Sequence, residues 1–201
     1  MKDEGVIKYS QVWKRNVLPS LKEADALLAI RDALFRRHWI GTDADGVGFG
    51  NVSVRLPDNA FLITASQTGH IPHLSTVQLS MVTAVDINEN TLWCTGLMPA
   101  SSEAMSHAAI YAVKPDVHCV IHVHDAELWN SLIHVAPTTD AGIPYGTPDM
   151  AYALQELILD MEDNELIVMG GHPDGIISAG SNTDDAWQTL QNWSAAGKDR
   201  L

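Results

Sequence analysis

Residues 117–123 form an apolar run rich in β-branched side chains, and the run closes on His122, Val123 and His124. A run of this kind predicts a strand. Side chains alternate faces along a strand, so the two imidazoles point the same way. Two same-face histidines at a strand end supply half of a zinc-type shell, in which imidazole nitrogens hold the ion and one position stays open for water or substrate. Two histidines satisfied by backbone groups at a strand end explain the pair equally well. A third imidazole, His172, stands in LIVMGGHPDGIISAG, where an apolar strand ends in glycines and a tight turn precedes another short strand. Its placement parallels that of the pair and allows all three to converge at one sheet end, although a turn histidine is often simply exposed.

PASSE (residues 99–103) reads as the opening of a helix over 101–113, with Ser101 as N-cap. First-turn amides and the hydroxyls of Ser101 and Ser102 form a natural cradle for an anion. Glu103 falls in the first turn, where the helix dipole favours a carboxylate, so capping alone also accounts for Ser101 and Glu103. His107 follows four residues later on the same helix face, either orienting that carboxylate or packing into the core, and packing is the expectation. His38, His70, His73, His118 and His134 have no comparable company and read as surface or packing residues.

The rest of the chain must build a frame for these groups. At 201 residues and 46% hydrophobic, it is long enough for one well-filled core, and a single domain over 1–201 is expected. Lysine and arginine number 12 against 25 aspartates and glutamates, a net charge of −13 that repels phosphodiester backbones and anionic lipid. Nucleic acid and membrane surfaces are therefore not the expected partners. No apolar run approaches the roughly 18 residues of a membrane span, and MKDEGVIKYS lacks the apolar stretch of a secretory signal, so a cytoplasmic location is expected. Cys94 and Cys119 cannot make a disulfide framework, and Cys119 reads as a buried thiol. Six tryptophans supply large apolar surfaces, some of which subunit contacts would bury.

Apolar spacing predicts a helix over 21–38, then a glycine-rich loop, GTDADGVGFG, whose backbone can approach a ligand closely. Residues 51–56 and 60–64 read as a hairpin across a PDN turn, and 81–87 with 91–94 as a second. After the strand at 117–123, a short helix over 126–133 starts from Asp125 as N-cap, residues 136–148 are turn-rich, and 149–161 is helical again. Short strands at 166–169 and 175–178 precede a last helix over 183–193, capped by Asn182 or Thr183. Strand pairs on one side of the sequence and helices around single strands on the other predict a mixed α/β layered domain rather than a purely parallel sheet.

Taken in order, GNVSVR (50–55), LITASQTG (62–69), PASSE (99–103), KPDVHCVIHVH (114–124), IPYGTPDMA (143–151) and HPDGIISAG (172–180) resemble the class II aldolase/adducin family. The resemblance extends over roughly residues 21–187. It implies a three-layer α/β/α domain with a central, mainly antiparallel sheet, and a divalent metal, usually zinc, used on small sugar phosphates by aldolases, 4-epimerases and dehydratases. By motif position, His122, His124 and His172 would ligate the metal and Glu103 would be the general acid/base. Asn51, Thr68, Gly69, Ser101 and Ser102 would hold the substrate phosphate. The resemblance also implies a homotetramer with the site near the junction of adjacent subunits.

This chain departs from the family pattern at two places. TASQTG is two residues longer than the usual compact turn, which leaves Ser66 and Thr68 as alternatives for the phosphate, and the usual His-Gly is HPDG here. Three function classes follow: a metal-dependent lyase (aldolase or dehydratase), an epimerase on the same site, and an adducin-like interaction module. The presence of all three histidines with Glu103 favours an enzyme. The leading expectation is a zinc-dependent lyase that cleaves a phosphorylated ketose by way of an enediolate.

Overall fold

The computed structural model describes residues 6–161 and 166–198, so half of the stretch read as lacking a secretory signal lies outside the described residues. The strands are β1 (Ser10–Arg15), β2 (Gly41–Thr42), β3 (Gly48–Phe49), β4 (Asn51–Arg55), β5 (Phe61–Thr64), β6 (Leu79–Asp86), β7 (Thr91–Gly96), β8 (Cys119–His124), β9 (Leu166–Val168) and β10 (Gly175–Gly180). The helices are α1 (Glu23–Arg36), α2 (Ala104–Val113), α3 (Ala126–Leu132), α4 (Pro148–Leu159) and α5 (Thr183–Lys198). Eight strands form one sheet in the order β1-β7-β6-β5-β4-β8-β10-β9. Every pairing in it is antiparallel except β1 with β7.

The alternation of side chains divides the core into two layers. Phe61 and Ile63 of β5, Val120 of β8 and Ile177 of β10 pack with Met105 and Ala109 of α2 and Leu154 and Ile158 of α4. Leu62, Cys119, Ile121 and Ile176 face the opposite layer, with Leu27 and Leu34 of α1, Leu128 and Leu132 of α3 and Leu190 of α5. Burial on both faces is why β5 and β8 read as apolar runs rather than strict alternations. The three-layer mixed α/β arrangement is the one the sequence predicts, and Cys94 and Cys119 are both buried free thiols.

Three elements differ from expectation. β1 has no apolar period, since five of its six residues are exposed; it is a sheet edge, and Lys14 and Arg15 suit an edge that must not recruit another strand. The glycine-rich loop folds into a small hairpin, with Gly41 opposite Phe49 and Thr42 opposite Gly48. Its turn closes because Asp43 Oδ1 accepts from the amides of Asp45 and Val47, each at 2.9 Å. Residues 101–103 form a turn instead of the first turn of a helix; α2 starts at Ala104, with Glu103 at its N-cap position and no side-chain cap.

Registry brings the chemistry to one sheet end. The first residue of β4, Asn51, pairs with His122, and the first residue of β10, Gly175, pairs with His124. The strand end carrying the two histidines therefore lies between two strand beginnings, and the connecting loops gather around it.

Candidate functional site

His122 lies on β8 with no exposed surface, and His172, on the turn before β10, is 2% exposed. His122 Nδ1 is 3.2 Å from the Ile176 carbonyl oxygen, which can only accept, so this nitrogen carries the proton and Nε2 keeps its lone pair. His124 Nε2 lies 3.1 Å from both His122 Nε2 and His172 Nε2. Candidate ligand atoms of all three lie within 4.8 Å of one another.

Burial drives the His122 pKa down to about 4, opposed by the bond to Ile176. It also pulls His172 well below the usual imidazole range, helped by His122 and Lys8. Both are therefore neutral at neutral pH. Tetrahedral zinc with Zn–N bonds of 2.0–2.1 Å sets ligand nitrogens about 3.3 Å apart; the two spacings from His124 Nε2, at 3.1 Å, are close to that, and all the candidate ligand atoms lie within 4.8 Å of one another.

The turn that carries His172 has no room to spare. A Cβ on Gly175 would stand 2.5 Å from His172 Cδ2 and 3.2 Å from His122 Cε1, so only glycine lets β10 start directly beneath both rings. Phe49 packs against His124 at 5.4 Å and Tyr145 against His172 at 4.4 Å, which restricts the orientation of both rings.

Two cavities, each of about 420 Å³, adjoin the histidines. Asn51, Ser66, Thr68, Gly69, Ser101, Ser102, Glu103 and His122 all line the first. His124 and His172 line the second, with Lys8, Tyr145 and Asp174. Thus every residue assigned by motif position to metal, proton transfer or phosphate lies on one of two adjoining walls. Glu103 is 2% exposed. Its Oε2 accepts from Ser106 Oγ at 2.7 Å, and its amide donates to Ser101 Oγ at 3.3 Å. Thr68 Oγ1 donates to the Ala65 carbonyl at 2.8 Å, so its proton is already held within the loop. Gly69 has a steric reason to be glycine: a Cβ there would stand 2.0 Å from Gly41 O.

His107 bonds away from Glu103. Its Nδ1 is 2.7 Å from Ser53 Oγ, which is 2.7 Å from the Tyr111 hydroxyl, and burial holds it neutral, as expected of a packing residue. Asp125 caps α3 through Leu128 N at 2.9 Å and accepts from Trp39 Nε1 at 2.7 Å, so the carboxyl beside the histidine pair serves structure.

Some residues escaped the sequence reading. Arg31, 1% exposed, donates to the carbonyls of Thr68 at 3.0 Å and Pro72 at 2.9 Å and so fixes the loop carrying Thr68 and Gly69. The signal was present: Arg31 lies four residues after Leu27 and three before Leu34, a charge inside the apolar stripe of α1. Tyr145 lies within IPYGTPDMA but was given no role there, and residues 6–9 carried no comparable signal.

Residues 26–196 match the family described as Class II Aldolase and Adducin N-terminal domain. A curated relative, 3-oxo-tetronate 4-phosphate decarboxylase of Haemophilus influenzae, is 36% identical over 81 residues, covering 40% of this chain and only 35% of that protein. Among solved structures, YgbL from Klebsiella pneumoniae, a putative aldolase/epimerase/decarboxylase, aligns with a TM-score of 0.68 at 21% identity, covering 88% of this chain and 87% of that one. The L-fuculose-1-phosphate aldolase from Thermus thermophilus aligns with a TM-score of 0.65 at 18% identity, covering 87% of this chain and 90% of the other. At these identities the structural likeness establishes the fold.

Proposed function

Because the chain belongs to the class II aldolase and adducin N-terminal domain family, we propose that it is a divalent-metal-dependent lyase acting on a small sugar phosphate or related hydroxy-carbonyl compound. The observation that carries this reading is the meeting of three histidines with a cavity lined by Glu103, two serines and a glycine-bearing loop. His122, His124 and His172 hold the ion, zinc being the best match to three imidazoles. When bound, the ion supplies Lewis-acid polarisation of the substrate carbonyl, worth several kcal/mol at a developing charge.

The chain's own residues do the rest. Asn51, Thr68, Gly69, Ser101 and Ser102 bind the phosphate and so fix the reacting carbon relative to Glu103, turning remote binding energy into alignment. In aldol cleavage Glu103 takes the proton from the hydroxyl of the carbon that becomes the aldehyde, the carbon–carbon bond breaks with its electron pair left on the ketone fragment as an enediolate, and Glu103 returns the proton to the enediolate carbon. Burial of Glu103 keeps competing water away from the transfer. A second reading, decarboxylation of a 3-oxo acid phosphate, is favoured by the curated relative. It uses the same residues: carbon dioxide leaves, and the electron pair it leaves behind is protonated in the same way.

Subunit association, most simply a homotetramer, belongs to the same proposal. Val12 and Trp93, register partners on the β1–β7 edge, are 52% and 37% exposed and offer apolar surface for it. No helix among the described residues is long and apolar enough to cross a membrane, and the cytoplasm is the proposed location. The test is a panel of ketose phosphates and 3-oxo acid phosphates given to zinc-loaded protein, with products identified by mass. Aldehyde plus ketone phosphate supports the first reading and carbon dioxide release the second. An epimer from every active substrate would contradict the lyase proposal, and a dehydrated product would keep the lyase class but contradict both aldol cleavage and decarboxylation.

A further inference from the structure

The family match begins at residue 26, yet the chain reaches the site well before that. Val6 lines the first cavity and Lys8 the second, so residues 6–8 pass from one to the other. The Lys8 ammonium lies 3.7 Å from the centre of the Tyr145 ring, and Asn90 Nδ2 donates to the Lys8 carbonyl at 3.1 Å. The segment then joins the sheet edge, where the Ser10 amide donates to Asn90 O at 2.8 Å.

Tyr9 turns inward from this segment and is 5% exposed. Its hydroxyl donates to the Ser101 carbonyl at 2.5 Å and accepts from Gln11 Nε2 at 3.0 Å. The same Gln11 amide donates to Ala100 O at 3.4 Å. On the other side of residues 99–101, Ala65 bridges Ala100 and the Ser66 amide donates to Pro99 O at 3.0 Å. Ser101 O also accepts from the Ala104 amide at 3.0 Å, closing the turn that presents Ser101, Ser102 and Glu103 to the cavity. The serine turn is thus held between the loop at 65–66 and the N-terminal segment. Burial raises the Tyr9 pKa, so the phenol stays protonated and remains a donor.

We propose that Tyr9 is a positioning residue for the anion-binding cavity: by holding the Ser101 carbonyl, its hydroxyl sets the Ser101–Glu103 turn in the orientation that binds a phosphate monoester. The inference rests on the reading of this cavity as the phosphate site and adds to it a residue outside the family match. The ring fills core space that phenylalanine would fill as well, so only the hydroxyl bears on the turn.

The experiment is calorimetric titration of inorganic phosphate into the zinc-loaded full chain, its Tyr9→Phe variant and Gln11→Ala, which removes the amide that orients the same hydroxyl. Phosphate affinity falls about three- to tenfold in Tyr9→Phe, the worth of one hydrogen bond, and by less in Gln11→Ala. Zinc content and thermal midpoint stay near wild type. Unchanged phosphate affinity in Tyr9→Phe overturns the positioning role and leaves the phosphate site standing. Zinc content and midpoint falling together with affinity would also overturn it, because general loosening would then be the cause. A wild-type chain that takes up no phosphate overturns the phosphate reading itself, and this inference with it.

Discussion

Adding one methyl group beneath the histidines gives a stringent check on the metal site. In Gly175→Ala the new Cβ would lie 2.5 Å from His172 Cδ2 and 2.9 Å from His172 O, where ordinary contact starts near 3.4 Å. The imidazole must retreat by about 0.9 Å, while metal–ligand distances hold within about 0.2 Å. The ring cannot move that far and remain a ligand in the same position, since Tyr145 packs against it at 4.4 Å. Misplacing one ligand in this way should weaken zinc binding by about 10- to 100-fold, or about 1.4–2.7 kcal/mol. Overpacking should take a further 1–3 kcal/mol, roughly, from the stability of the metal-free fold. A competition titration of zinc against a fluorescent chelator measures the first effect, and denaturant unfolding of metal-free protein the second. Wild-type zinc affinity in a folded Gly175→Ala protein would refute the reasoning, because His172 would then have moved freely without cost to the site.

Three other outcomes are expected. Glu103→Gln preserves volume and the fold but lowers turnover by about 10² to 10⁴, measured with whichever substrate the panel identifies; near-normal turnover would assign proton transfer elsewhere. Metal-free protein loses stability as the pH falls from about 6.5 towards 4. His122 takes its proton only near pH 4 when folded, so the unfolded chain binds protons first, and the loss reaches about 3 kcal/mol by pH 4 for this group alone. Urea titrations across that range test it, and a flat profile contradicts it. Light scattering at micromolar concentration should give a mass several times the 21.9 kDa chain, and a monomer would remove the proposed assembly.

The parts of this molecule legible in the sequence are those whose burial is locally periodic. β5 and β8 announce themselves because apolar side chains occupy both faces, β4 because Val52 and Val54 alternate with Asn51, Ser53 and Arg55, and α1 because Leu27, Ile30 and Leu34 share a stripe. The three histidines were legible for a related reason, since each follows an apolar strand and strand ends meet at one end of a sheet. β1 was not, because an exposed edge has no hydrophobic period to read. The Ser101–Glu103 turn imitates a helix start: its serine accepts an amide two residues on, as an N-cap does, but the helix begins after it. Tyr9 was beyond reach for another reason. Its partner Ser101 lies 92 residues away, and nothing local in the sequence marks that contact.

Elemental analysis of protein purified without added metal, set beside a His122→Ala, His124→Ala double variant, tests the central claim most directly. The three convergent Nε2 atoms predict close to a single divalent ion per chain in the wild type and almost none in the variant, with both proteins folded. Equal metal content in the two would contradict the account, since the ion would then be held by residues other than these.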